Sequence, residues 1–163
     1  MIFGIRPTLG LAALTMAGTI GIGAVLGIIA GYFRGIAEEI IMRIVDVMLS
    51  FPSQIMVFAV VALLGVSVQN VIIANVFIKW AWYARMIRTG VMQYRDKNFV
   101  QFSRCVGMPE RFILFRHLLP SITSDLAVLA SLDIGWAIIN ISTLSFLGLG
   151  VQAPTPEWGA MLN

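Results

Sequence analysis

The chain has 163 residues, of which 59% are hydrophobic and only 12% charged, with a mean hydropathy of +0.91 and a formal net charge of +3. So few charges and such long apolar runs exclude an ordinary soluble domain and predict an all-α polytopic membrane protein. The high isoelectric point does not point to nucleic acid, because the positive charge is clustered beside the apolar runs.

The first predicted span covers residues 8–31, without a single charge and too long for the core of a signal peptide. Its Gly23, Gly27 and Gly31 recur every four residues, so they share one helix face, as small residues do where helices pack closely. Tyr32, Phe33 and Arg34 end the run with an interfacial aromatic pair and a positive charge. The second segment, residues 40–66, holds Arg43 and Asp46 three apart, placed to pair on one face. Ser50-Phe51-Pro52-Ser53 then predicts a kink or break, because proline lacks a backbone donor and clashes with the preceding turn. A break at membrane depth must be buried in protein or line water. The third span, residues 68–87, carries Asn75 and Lys79 and closes on Trp80, Trp82, Tyr83 and Arg85. Lys79 either snorkels to a headgroup or faces the bundle interior.

A loop over residues 88–120 separates this span from the last. From Arg85 to Arg116 stand Arg85, Arg88, Arg95, Lys97, Arg104, Arg111 and Arg116, against only Asp96 and Glu110. With Arg34 and Arg43 these make nine of the eleven Lys and Arg residues, all on one side if spans alternate. The positive-inside rule makes that side cytoplasmic. Residues 97–106 suit a short amphipathic helix with Phe99, Phe102, Cys105 and Val106 toward one side. Gly107 suits its C-terminus, and Pro109 the first turn of a second helix carrying Phe112, Ile113 and Phe115. Four phenylalanines on such a loop need cover from the bundle or from another protein. The lone cysteine, Cys105, forms no intrachain disulfide or thiolate cluster and reads as a reduced thiol.

The last span, residues 121–147, is the most polar, with Asp125, Asp133, Asn140, Ser142, Thr143 and Ser145. Leu119-Pro120 marks its start, and a loop from Pro154 to Gly159 follows it. Carboxylates inside a membrane are expensive. Asp133 therefore either lines a path for a cationic substrate or pairs with a polar or basic neighbour, and Asn140 and Ser142 are further path candidates. Asp125, nearer the basic end, suits capping or pairing. His117 is the only histidine and suits interface packing, and the nine methionines suit packing rather than soft-metal binding. No metal site, cofactor or catalytic residue is predicted: the chain has no phosphate-binding glycine loop, no His-Glu-x-x-His and no nucleophile–histidine pair. Met1 almost abuts a span and Asn163 ends a loop, which suggests a piece of a longer protein.

The loop spacing resembles the Glu-Ala-Ala loop of type-1 ABC importer permeases. Gln101, Phe102 and Ser103 occupy the three motif positions, followed by Gly107 and then His117, Leu119 and Pro120. Gly107 and Leu119-Pro120 match the pattern, whereas Gln101, Phe102 and His117 depart from it. Residues 46–52, 80–87, Leu144 to Gly150 and Ala153 to Gly159 are similar to the peptide/nickel branch. Residues 80–86 and 129–135 look most like its nickel-type members, and many peptide permeases of the branch carry glutamate where this chain has Ile141.

The resemblance implies a type-1 transmembrane domain of about six helices, here without the first and last, in the cytoplasmic membrane. It implies a homologous second permease, two cytoplasmic ATPases that dock on the loop at Gln101, Phe102, Ser103 and Gly107, and an external substrate-binding protein. The implied cargo is nickel, a related metal or a metal chelate, with di- or oligopeptide as the alternative. Apart from the resemblance, a secondary transporter is the competing reading of the chain, though it should show internal repeats and the sequence has none.

Overall fold

The computed structural model describes residues 4–151 and 156–162, so residues 154–155 of the loop expected from Pro154 to Gly159 lie outside the described residues. Every regular element among them is helical: α1 (Ile5–Phe33), α2 (Ile36–Leu49), α3 (Ser53–Leu64), α4 (Val68–Arg95), α5 (Asn98–Cys105), α6 (Glu110–Ile113) and α7 (Leu119–Phe146). A π-helical turn, Leu114–Leu118, joins α6 to α7.

The bundle is built on α4. A Cβ on Gly23 would lie 2.5 Å from the Tyr83 Cβ, one on Gly27 2.6 Å from the Ala84 carbonyl oxygen, and one on Gly31 2.8 Å from the Val91 Cβ. The expected glycine face is thus the seam where α1 meets α4, close enough for dispersion contacts that lipid tails do not replace. Both numberings rise together along that seam, so α1 and α4 are parallel. α7 runs antiparallel to α4, with Ile122 beside Gly90 and Asp133 beside Tyr83. α2 is antiparallel too, Glu38 bonding Arg88 and Asp46 bonding Arg85. Asp46 therefore pairs across helices rather than with Arg43 on its own. The directions alternate along the chain and gather Arg34 and the loop arginines toward one end.

Two helices, Ile5–Phe33 and Glu110–Phe146, are long and apolar enough to cross a membrane, and α2 with α3, bent by 86°, counts as a third. The bend falls at Pro52, where the break was expected. α4, the remaining expected span, has 28 residues, about 42 Å at 1.5 Å per residue. It falls short on hydropathy because it carries Lys79, Arg85, Arg88 and Arg95. Its central position explains how: Ala74, Ile78, Ala81, Ala84 and Ile87 are all buried against neighbouring helices, so much of α4 meets protein instead of lipid.

Two boundaries differ from the sequence reading. Residues 88–95, expected in the loop, continue α4 for two further turns, since no strong breaker intervenes before Asp96 and Lys97. The last span's own helix, α7, begins at Leu119-Pro120 as expected, but the loop before it does not reach that far. Helix runs from Glu110 through Phe146, and the π-turn sits just before Pro120. Proline has no N–H to donate and its ring presses on the carbonyl four residues back. Widening the preceding turn removes that clash without breaking the rod.

Candidate functional site

The α2–α3 bend, the middle of α4 and the middle of α7 line an open cavity of about 620 Å³. Pro52, Ser53 and Gln54 come from the bend, Lys79, Trp82 and Tyr83 from α4, and Asp133, Trp136 and Asn140 from α7. Helical spacing brings these together: 79, 82 and 83 share one face of α4, and 133, 136 and 140 share one face of α7. Asp133 Oδ1 lies 3.7 Å from Lys79 Nζ, and the Tyr83 hydroxyl donates to Asp133 Oδ2 at 2.9 Å. The two charged side chains are 18% and 19% exposed. Asp133 thus both pairs with a neighbour and lines the cavity, and Lys79 faces the bundle interior. Asn140 accepts a hydrogen bond from the Gln54 amide at 3.4 Å, and its own amide donates to the Trp136 carbonyl at 2.9 Å. The proline-induced break therefore contributes polar side chains to the same space that holds the ion pair.

Ser142 is not in the cavity. Two residues beyond Asn140, it points about 200° around the helix and donates to Glu157 at 2.9 Å. Glu157, absent from the sequence candidates, is fully buried. One carboxylate oxygen accepts from Ser142 and, at 3.4 Å, from Thr8; the other accepts the Gly159 and Ala160 N–H groups at 2.8 and 3.1 Å. This clamp ties the start of α1 to the end of α7. A Cβ on Gly159 would collide with the Ser142 carbonyl. Gly159→Ala is accordingly expected to open the clamp and make the segment after α7 several-fold more sensitive to limited proteolysis. Cleavage at the parental rate would show that the clamp does not hold the segment.

The opposite end carries the basic turn. α5 ends at Cys105 and the chain turns at Gly107, whose φ of +79° suits glycine, with Gly107 N–H bonded to the Arg104 carbonyl at 2.9 Å and Met108 N–H to the Ser103 carbonyl at 3.1 Å. This paired closure reverses the chain sharply before α6. Val100 and Ser103 face inward, while Phe99, Phe102, Phe112 and Phe115 remain 43%, 70%, 40% and 72% exposed. The bundle therefore does not supply the cover that these rings need. Gln101 donates to the Asp96 carbonyl at 3.2 Å and holds the start of α5 to the end of α4. His117 packs between Phe99 and Phe112, with ring centroids 6.0 and 5.7 Å away, in the packing role expected for it. Leu119 and Pro120 lie within the α6–α7 rod, Leu119 half-buried and Pro120 exposed. Asp125, expected to cap or pair at this end, is exposed and has no ion-pair partner among the described residues. No group of three His, Cys, Asp or Glu side chains among the described residues is placed to hold a metal ion.

Comparison with known proteins agrees with this architecture. The chain is 45% identical over 126 residues to the metal-staphylopine import system permease protein of Staphylococcus aureus, covering 77% of this chain and 44% of that protein. It is 40% identical over 163 residues to the glutathione transport system permease protein of Pectobacterium atrosepticum, covering all of this chain and 54% of that one. With the dipeptide transport system permease protein of Alkalihalophilus pseudofirmus it shares 39% over 163 residues, again 100% of this chain and 54% of the relative. The chain spans about half the length of these curated relatives. Residues 23–163 match the family described as the binding-protein-dependent transport system inner membrane component. The chain belongs to that family, a type-1 ABC transmembrane domain of multi-pass membrane permeases in the cell membrane.

Proposed function

We propose that the chain serves in the permease subunit of an ATP-driven ABC importer, where it forms part of the translocation path and is not itself catalytic. The observation that carries this reading is the pairing of a cavity that holds the Lys79–Asp133 ion pair with an exposed phenylalanine turn at the basic end. ATP is hydrolysed by two separate cytoplasmic ATPase chains that cover the turn around Phe102 and Gly107. A homologous permease completes the path, and an external binding protein delivers cargo at the Glu157 end. The basic end faces the cytoplasm. The α6–α7 rod is about 55 Å long at 1.5 Å per residue. That exceeds the hydrocarbon core of about 30 Å, so its α6 end extends past the bilayer to where an ATPase reaches it.

The cavity supports a cargo of one chemical kind. Lys79 and Asp133 present an ammonium and a carboxylate side by side, with the Gln54 and Asn140 amides nearby. Such a wall suits a solute that carries both amine and carboxylate groups. Nickel or a related metal held in an amino-carboxylate chelate fits this description, in keeping with the likeness to a metal-chelate permease. A short peptide is the second reading, favoured by the same ion pair and by likeness to glutathione and dipeptide permeases.

Phe102→Asp is expected to abolish co-purification of the ATPase chains with the permease, because it adds charge to a 70% exposed ring at the centre of the proposed contact. Pull-down from membranes measures this. ATPase binding that survives Phe102→Asp and Phe112→Asp together would overturn the docking assignment.

A further inference from the structure

At the basic end of α1, Tyr32 is 4% exposed and its hydroxyl has no hydrogen-bond partner. Two cations share its ring: the guanidinium carbons of Arg95 and Arg104 lie 5.8 and 5.2 Å from the ring centroid. Each gains from the ring quadrupole, but the two repel one another. Nε and Nη1 of Arg95 and Nε of Arg104 are buried and donate to nothing. The neighbouring carboxylates are committed elsewhere, Asp96 to Arg34 at 3.3 Å and Glu38 to Arg88. Buried charged donors are costly to leave unpaired, so the cluster is complementary to an anion not found among the described residues.

An apolar groove of about 250 Å³ opens alongside, between α1 and the α6–α7 rod, lined by Val25, Ile29, Phe33, Phe115 and Leu118 among others. Phe33, which lines the groove, packs edge-on against Tyr32 with ring centroids 5.3 Å apart, so the groove ends one side chain from the cation cluster. We propose that together they bind an anionic phospholipid, its phosphate on Arg95, Arg104 and the Tyr32 hydroxyl and an acyl chain in the groove. A carboxylate from a partner protein would satisfy the arginines but leave the groove empty. A phosphodiester has acceptors for several donors and brings a chain of matching polarity. The site rests on the chain's place in a membrane and not on the transport reading.

The test uses the assembled transporter containing this permease, exchanged into phosphatidylcholine vesicles with or without phosphatidylglycerol, with retained lipid counted by native mass spectrometry. Phosphatidylglycerol is expected to be retained over phosphatidylcholine. Arg95→Gln with Arg104→Gln should reduce that retention about 25-fold, from roughly fivefold per basic residue. Val25→Trp, which fills the groove without touching the charges, should reduce it as well. Retention unchanged by Val25→Trp would overturn the proposal, and this variant decides the matter if the arginine pair does not assemble. The proposal also fails if inorganic phosphate competes as well as the lipid does, which would mark a free-anion site. Loss of the ATPase chains with lipid retention intact in the arginine variant would instead assign the arginines to a partner's carboxylate, and overturn it too.

Discussion

Gly27→Leu is expected to force α1 away from α4 and to cost at least about 3 kcal/mol of bundle stability, the upper end of what overpacking usually costs. A β-carbon at this position meets the Ala84 carbonyl oxygen at 2.6 Å and the Ile87 Cβ at 2.9 Å. Neither obstacle is the free end of a flexible side chain, so neither moves without moving its helix. Gly23→Leu should behave alike, since its new carbon would lie 2.5 Å from the Tyr83 Cβ. Gly10 and Gly21 provide the control. Nothing lies within 4 Å of a Cβ at either, so leucine there should not destabilise the bundle by more than about 0.5 kcal/mol. Reversible unfolding in mixed detergent–SDS micelles, followed by circular dichroism, reads the difference. A Gly27→Leu protein as stable as Gly21→Leu would mean that α1 and α4 do not meet on this face.

Asp133→Ala should strand Lys79 and take the acceptor from the Tyr83 hydroxyl. Removing one partner of a fully buried ion pair costs about 3–5 kcal/mol. Here each side chain is about one-fifth exposed, so the cavity's water relieves part of that, and about 2 kcal/mol is expected. Lys79→Met combined with Asp133→Met removes both charges and should return most of the lost stability. Import should not return with it. In the reconstituted transporter, uptake of a nickel chelate is expected to stay at least tenfold below the parental rate in the double variant. If stability and uptake recover together, the pair is a structural bridge and the cargo assignment fails. Running a labelled dipeptide beside the chelate separates the two cargo readings, because the cargo of this permease is the one whose parental uptake collapses.

Much of this architecture was legible in the residues because membrane constraints are severe. The glycine period in the first span reported a close helix contact, and Pro52 reported the bend, since each acts on the backbone directly. Gly107 was legible for the same reason. Cross-helix partners were less so. Asp46 lies three residues from Arg43 in sequence, but a local spacing does not reveal that Arg85 arrives from another helix. Ser142 and Asn140 looked equivalent as polar residues in one span, and only the helical phase against Asp133 distinguishes them. That phase was available in the sequence, as was the matching phase of Lys79 and Tyr83. The burial of Glu157 had no comparable signal, because it depends on Thr8 approaching from the other end of the chain. The π-turn escaped because proline's clash has two remedies, a break or a widened turn, and local sequence does not choose between them.

The parallel pairing of α1 with α4 has a consequence for biosynthesis. The residues that cover the glycine face of α1 lie about 60 positions further along the chain. At roughly 5–20 residues per second, the ribosome needs about 3–12 seconds to deliver them. Through that interval α1 occupies the bilayer with its partner surface bare, while α2 and α3 are inserted between. Quality control at the translocon thus meets an obligatory half-assembled state, and variants that speed or slow elongation between codons 34 and 84 should alter the yield of folded protein without changing one residue of it.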